Sequence, residues 1–170
     1  MAGQVHLRLA PGGTKPRPTA HALLLELAST LVDDPVLTHD DSGRPQIPGL
    51  AVSISYSHQL VAVAASHDGP LGIDLEEIRL REVDPLANRW FAPQELEWME
   101  RQPDRLLAFL QLWTAKEAVG KALGRGLANG GLRRRTPPGL TVVHLPTTEP
   151  AVLAVALATH DTGPRRVTDS

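Results

Sequence analysis

Three acidic side chains and one lysine in this 170-residue chain have types and spacings that could do chemistry together. Asp74 and Glu76 lie two apart in Gly72-Ile73-Asp74-Leu75-Glu76, a stretch that reads as a strand. Alternation then puts both carboxylates on one face and Ile73 and Leu75 on the other. Glu117 and Lys121, four apart in a long helical pattern, share a face one turn apart. Carboxylate oxygens are hard donors of the kind Mg²⁺ prefers, and three of them drawn from two elements could share one ion. Spacing alone is read more simply, as a solvent-facing strand edge and an i,i+4 ion pair between Glu117 and Lys121.

Charge along the chain gives the first reason to look further. From Asp74 to Asp104 nine acidic residues face four arginines, whereas from Arg105 to Arg135 seven basic residues surround the single acid Glu117. The net charge is only -2, so the chain lacks the general basic excess of a nucleic-acid binder, and any polyanion site must be local. Cysteine is absent, which excludes disulfides, thiolate metal sites and cysteine nucleophiles. Runs such as Leu60 to Ala65 are far too short to span a membrane, and the N-terminus lacks a signal-peptide pattern. A soluble, cytoplasmic protein is expected, with no membrane or nucleic-acid partner. With 42% hydrophobic and 21% charged residues, the composition is that of a chain that folds.

These residues need elements to position them. Pro11 to Pro18 is rich in proline and glycine and reads as irregular chain, and Thr19 to Val32 reads as a helix with Thr19 as its N-cap. Asp40 to Gly49 is turn-rich. Ala51 to Tyr56 and Leu60 to Ala65 form a hairpin with His58 at its tip, because three linking residues leave no room for a crossover. Leu71 to Ile78 is the next strand. Two short helices broken near Pro93 occupy Pro85 to Arg101. A long helix then runs from an N-cap at Asp104 to about Leu123, and the strands Leu140 to Leu145 and Ala151 to Thr159 end the pattern. The order predicts an α+β fold of two unequal, pseudo-repeated lobes, each a small antiparallel sheet packed on a helix. The expected division is a smaller lobe over 1–70 and a metal-binding, catalytic lobe over 71–170.

The flanking residues then supply a resemblance. Gly72-Ile73-Asp74-Leu75-Glu76, followed by Trp113-Thr114-Ala115-Lys116-Glu117-Ala118-Val119-Gly120-Lys121 and Gly124-Arg125-Gly126-Leu127, resembles the paired signature of the 4′-phosphopantetheinyl transferases. Gly43-Arg44-Pro45, Ser55-Tyr56-Ser57-His58 and Trp90-Phe91-Ala92-Pro93-Gln94-Glu95 are similar to further elements of the Sfp-type subfamily, in the same order. The resemblance implies transfer of the phosphopantetheine arm of coenzyme A, the co-substrate, to a serine of an acyl or peptidyl carrier protein, with Mg²⁺ as cofactor and 3′,5′-ADP as product. It places Asp74, Glu76 and Glu117 on the metal, with Glu117 taking the serine proton. It places Lys121 on the pyrophosphate, and Arg44, Ser57 and His58 on the phosphates of the coenzyme. Glu95 would support the site.

Several positions depart from the pattern. Arg44 stands for the usual lysine, turning a point charge into a fork. Ser55 stands for asparagine. Seventy-one residues precede Gly72, fewer than is usual for the two-lobed subfamily, and only Lys15 or Arg17 offer further coenzyme contacts. Two alternatives follow: a coenzyme A or carrier-protein binding module without turnover, and a Mg²⁺-dependent nucleotide hydrolase, which would need a water-activating base that the sequence does not single out. Carriers of fatty-acid, polyketide or nonribosomal-peptide synthesis fit equally well, as do a monomer and a small homo-oligomer. The basic run Arg133, Arg134 and Arg135 reads as a solvated loop or as a contact for an acidic carrier.

Overall fold

A computed structural model of the chain describes residues 4–124 and 136–159. Twelve elements follow in order: β1 (His6–Pro11), α1 (Pro16–Ser29), β2 (Thr38–His39), β3 (Pro45–Gln46), β4 (Ala51–Tyr56), β5 (Leu60–Ser66), β6 (Leu71–Glu77), α2 (Asp84–Trp90), α3 (Pro93–Glu100), α4 (Arg105–Ala122), β7 (Leu140–Leu145) and β8 (Ala151–Ala158). Two three-stranded antiparallel sheets carry the architecture, one ordered β1-β5-β4 and the other β6-β8-β7, with β2 and β3 as a small separate ribbon. This is the expected α+β arrangement.

Alternation along each strand builds the layers. On one face of β5, Val61, Val63 and Ala65 pack against Ala20, Leu24, Leu27 and Ala28 of α1. On its other face, Leu60, Ala62 and Ala64 meet Leu71, Ile73 and Leu75 of β6 with Leu153 and Val155 of β8. The far side of the second sheet presents Ala154 and Ala156 to Ala118, Val119 and Ala122 of α4. The order of layers is therefore helix, sheet, sheet, helix. β5, central in its sheet, is covered on both faces, which explains why it is buried along its whole length instead of alternating with solvent.

Helix α4 starts where Asp104 Oδ1 accepts the Leu107 N–H at 3.0 Å, the expected N-cap. Its approach to β6 depends on Gly72. A Cβ at that position would collide with the Ala118 carbonyl oxygen, so strand and helix backbones touch where any side chain would hold them apart.

A second device ties the two sheets. As an edge strand, β6 turns the amides of Ile73, Leu75 and Glu77 away from β8. Serine hydroxyls of the β4 side meet them in register: Ser53 Oγ accepts from Ile73 N–H at 3.0 Å, Ser55 Oγ from Leu75 N–H at 2.9 Å, and Ser57 Oγ from Glu77 N–H at 3.0 Å. Three alternate serines thus substitute for a paired strand.

Two expectations for the N-terminal part need correction. Pro11 to Pro18 is not wholly irregular: β1 ends at Pro11, and α1 begins at Pro16, not Thr19. Proline at the first helical positions loses no bond, since those amides have no intrahelical partner, and Thr19 Oγ1 donates back to the Lys15 carbonyl from inside the first turn. The strand β1 went unread although Val5, Leu7 and Leu9 alternate with polar residues.

Two stability outcomes follow. Gly72→Ala should cost about 1–3 kcal/mol, the usual range for overpacking, seen as a lower urea midpoint. Ser53→Ala leaves the buried Ile73 amide without its acceptor and should cost about 1–3 kcal/mol in the same assay. A midpoint like that of the unaltered chain would remove the hydroxyl ladder from the account.

Candidate active site

The close approach of β6 to α4 places Asp74 beneath the last turn of α4. The Lys121 ammonium donates to Asp74 Oδ1 at 3.1 Å and to the Ile73 carbonyl at 2.9 Å, leaving one of its three N–H groups uncommitted by these contacts. Ser55, while accepting from Leu75, donates to the same Oδ1 at 3.2 Å. Asp74 Oδ2 is buried with no hydrogen-bond partner among the described residues. Lys121 therefore pairs across the elements with Asp74, not along the helix with Glu117.

The carboxylates feel one another. Burial, the largest influence, with Glu76 and Glu117 pushes Asp74 from its ordinary 3.8 up to about 7, against the opposing pull of Lys121. Glu117 is also raised, first by burial and then by Glu76, with Lys121 again opposing. Glu76 is engaged by Arg81 at 3.0 Å. Among the described residues, no group of three or more His, Asp or Glu side chains stands at metal-ligating geometry. The donor chemistry nevertheless suits a hard cation. An orphaned buried oxygen and three mutually repelling carboxylates would both be relieved by a divalent ion, and Mg²⁺ commonly takes only one or two protein carboxylates, completing its shell with water and phosphate.

Beside this cluster opens a cleft of about 630 Å³, with Lys121 and Arg44 on one side and Arg17, His21 and His39 on another; Ser53, Ile54 and Tyr56 of β4 contribute to its wall. Arg44 Nη2 donates to the Lys121 carbonyl at 3.0 Å, which satisfies a C-terminal carbonyl of α4 and puts a cation at the negative end of its dipole. Gly124, in the left-handed region at φ 66°, leaves room for that guanidinium, which a Cβ would strike.

Ser57 and His58 are placed elsewhere. Neither is among the residues lining the cleft. At the β4–β5 hairpin tip, Ser57 is spent on the ladder, and Glu77 accepts the Gln59 N–H at 2.6 Å. Burial would raise Glu77, but the Gln59 amide, the Ser57 hydroxyl and His58 together hold it below its ordinary value. Glu95 closes the first turn of α3 by accepting the Ala92 N–H at 2.9 Å and pairs with Lys116 of α4 at 2.8 Å, so it braces the helix that carries Glu117. Trp113 stacks on Phe109 within the core. Arg125, Gly126, Leu127 and the Arg133 to Arg135 run lie outside the described residues.

Sequence reasoning missed His21 and His39 and left Arg17 a guess. Starting α1 at Thr19 kept Arg17 in irregular chain, so its i,i+4 relation to His21 was hidden. For His39 no short-range signal existed.

Known proteins agree with the motif reading. A family model described as the 4′-phosphopantetheinyl transferase superfamily matches residues 70–164. The 4′-phosphopantetheinyl transferase HetI of Nostoc sp. is 32% identical over 124 residues, covering 65% of this chain and 52% of that protein. The 4′-phosphopantetheinyl transferase psf-1 of Bacillus pumilus is 33% identical, covering 64% and 48%, and AcpT of Salmonella typhi is 35% identical, covering 58% and 54%. The chain spans about half the length of the curated relatives it matches. No helix among the described residues is long and apolar enough to cross a membrane.

The raised Asp74 carboxyl predicts a pH signature. The folded state keeps a proton that the unfolded chain releases near 3.8, so stability from this group falls as pH rises from about 4 to about 7 and stays reduced above. Asp74→Asn should flatten that descent, leaving a smaller slope from Glu117. Urea midpoints of both proteins across this range are the measurement, and parallel curves would contradict the burial reading.

Proposed function

The chain belongs to the 4′-phosphopantetheinyl transferase superfamily, and from that premise we propose that it moves the phosphopantetheine arm of coenzyme A onto a serine hydroxyl of an acyl or peptidyl carrier protein, releasing 3′,5′-ADP. The observation that carries the reading is the placement of Lys121, which lines a cation-rich cleft and at the same time bonds a buried carboxylate of the second sheet. Phosphoryl transfer asks a protein mainly to position groups and neutralise charge. That is what such a boundary between cations and carboxylates can do.

In this reading the coenzyme diphosphate occupies the cleft against Arg44 and Lys121. Lys121 has a donor to spare for oxygens that gain charge as the nucleotide leaves. Asp74, Glu76 and Glu117 would hold Mg²⁺, which when bound neutralises charge on the diphosphate. Glu117, raised by burial and by Glu76, is suited to take the proton of the incoming serine. The serine oxygen forms its bond to the phosphorus that carries the pantetheine arm, the bond from that phosphorus to the nucleotide breaks, and the proton passes to Glu117. Ser57 and His58 stand at the hairpin tip outside the cleft lining, and any contact of theirs with the coenzyme is made from there. Glu95 acts through Lys116, by fixing α4.

Mass spectrometry of an apo carrier protein incubated with the chain, coenzyme A and Mg²⁺ tests this. A gain of the phosphopantetheine mass, lost on chelation of the metal, is expected. Unchanged carrier with coenzyme bound to the chain would decide for a binding module. Asp74→Ala and Glu117→Ala should each lower transfer by about 100-fold or more while the circular dichroism spectrum is kept, and unaltered rates in either would refute its assigned role.

A further inference from the structure

The fold treats the two oxygens of the Asp74 carboxylate differently. Oδ1 takes two donors, the Lys121 ammonium at 3.1 Å and the Ser55 hydroxyl at 3.2 Å, while Oδ2 is buried and takes none among the described residues. Only 9% of the side chain is exposed, so the bare oxygen has little solvent to fall back on. Lys121 alone would not impose this inequality. The Cβ–Cγ torsion of aspartate is broad and nearly two-fold, so a carboxylate held only by an ammonium can turn and offer it either oxygen.

Ser55 fixes that turn. Its oxygen accepts the Leu75 N–H at 2.9 Å, which pins the hydroxyl between β4 and β6. With that lone pair used, its single proton goes to Oδ1, and at 2% exposure no solvent competes for it. Ser53, the preceding rung of the ladder, accepts from the Ile73 N–H at 3.0 Å and, among the described residues, makes no hydrogen bond to Asp74. The two serines are therefore alike in what they do for β6 and different in what they do for the carboxylate.

We propose that Ser55 is a positioning residue for the divalent cation: by holding Oδ1 it reserves Oδ2 as the ligating atom of Asp74 and restricts the carboxylate to coordination through one oxygen. The inference rests on the reading that Asp74 holds the cation. A ligand whose orientation is fixed before the ion arrives binds it more tightly than one that must be ordered on binding. A ligand limited to one oxygen also discriminates between ions. Mg²⁺ demands near-ideal octahedral geometry at short distances, which single oxygens meet, whereas Ca²⁺ has longer bonds, accepts more ligands and readily takes both oxygens of one carboxylate. Ser55 thus favours the smaller ion.

Mn²⁺ is the probe, a paramagnetic ion suited to the same carboxylate ligands, titrated into the whole chain with and without coenzyme A and followed by loss of the free-ion electron paramagnetic resonance signal. Mg²⁺ and Ca²⁺ are then added to displace it. Ser55→Ala should weaken Mn²⁺ binding by about tenfold or more, the usual cost of removing a residue that orients a metal ligand, and should narrow the preference for Mg²⁺ over Ca²⁺. Ser53→Ala is the matched control: it also removes one rung of the ladder, and it should leave affinity and preference close to those of the unaltered chain. Urea midpoints measured alongside separate a metal effect from a loss of folding. If Ser55→Ala folds poorly, Ser55→Cys, of similar volume but with only a weak donor, should show the same loss. Equal Mn²⁺ affinities in the unaltered chain and the Ser55 variant would overturn the inference. Equal losses in the Ser53 and Ser55 variants would also overturn it, by showing that only the ladder matters, and a lowered affinity with an unchanged preference would overturn the one-oxygen restriction. Binding that survives in the Ser55 variant but is lost in Asp74→Ala would sink the positioning role alone, whereas failure of the unaltered chain to bind Mn²⁺ under either condition would sink the metal reading with it.

Discussion

The missing side chain at Gly72 is the constraint on which the site depends. With a Cβ there, β6 and α4 could not come into backbone contact, because the Ala118 carbonyl oxygen already fills the space. That contact fixes the distance between a strand and a helix whose functional residues lie more than forty positions apart in the chain. Lys121 then reaches both the Ile73 carbonyl and the Asp74 carboxylate with a side chain of ordinary length. A strand held farther out would leave the carboxylate buried without its cation, a costly state for a group that burial already pushes toward neutrality.

Strand β4 gives the site its second support, and its two faces do different work. Val52 and Ile54 pack toward α1, while Ser53 and Ser55, with Ser57 beyond the strand end, turn toward the exposed edge of β6. Polar hydroxyls at buried positions are tolerable because each meets an amide that would otherwise be orphaned. Ser55 adds a contact to Asp74, so the element that walls the cleft also orients the carboxylate behind it. The shared use of β4 links the cleft to the acidic cluster without any long-range mechanism.

Much of this was legible in the sequence. Alternation located β4 and β6, an unbroken apolar run located β5, the Asp104 cap located the start of α4, and the motif spacing singled out Asp74, Glu117 and Lys121. The remainder was hidden for identifiable reasons. Prolines in the first turn of α1 look like loop to a local reading, although the first helical positions are where proline does no harm. The partner of Lys121 could not be read either, since i,i+4 spacing suggests Glu117, and only packing reveals that Asp74 is nearer to hand. Nothing in the alternation of Ser53 and Ser55 with Val52 and Ile54 shows that the serine face is buried. Their burial follows from the second sheet lying on that face, a tertiary fact with no local signature.

Charge placement explains how a chain of net charge -2 can present a cation-rich cleft. The basic groups of the cleft are spread through the sequence: Arg17 and His21 on α1, His39 and Arg44 on or beside the ribbon, Lys121 at the end of α4. No window of the sequence shows an excess corresponding to this cluster, because folding collects these five residues from three separate parts of the chain. The acids are gathered differently, by alternation on one strand and one helical position facing it. Lys121 lies where the two collections meet, its ammonium on the carboxylate and its backbone carbonyl under Arg44. A substrate that bridges the two sides must carry negative charge toward the cleft and still tolerate acids behind it, which a diphosphate accompanied by a divalent ion does and a bare carboxylate or a neutral ligand does not.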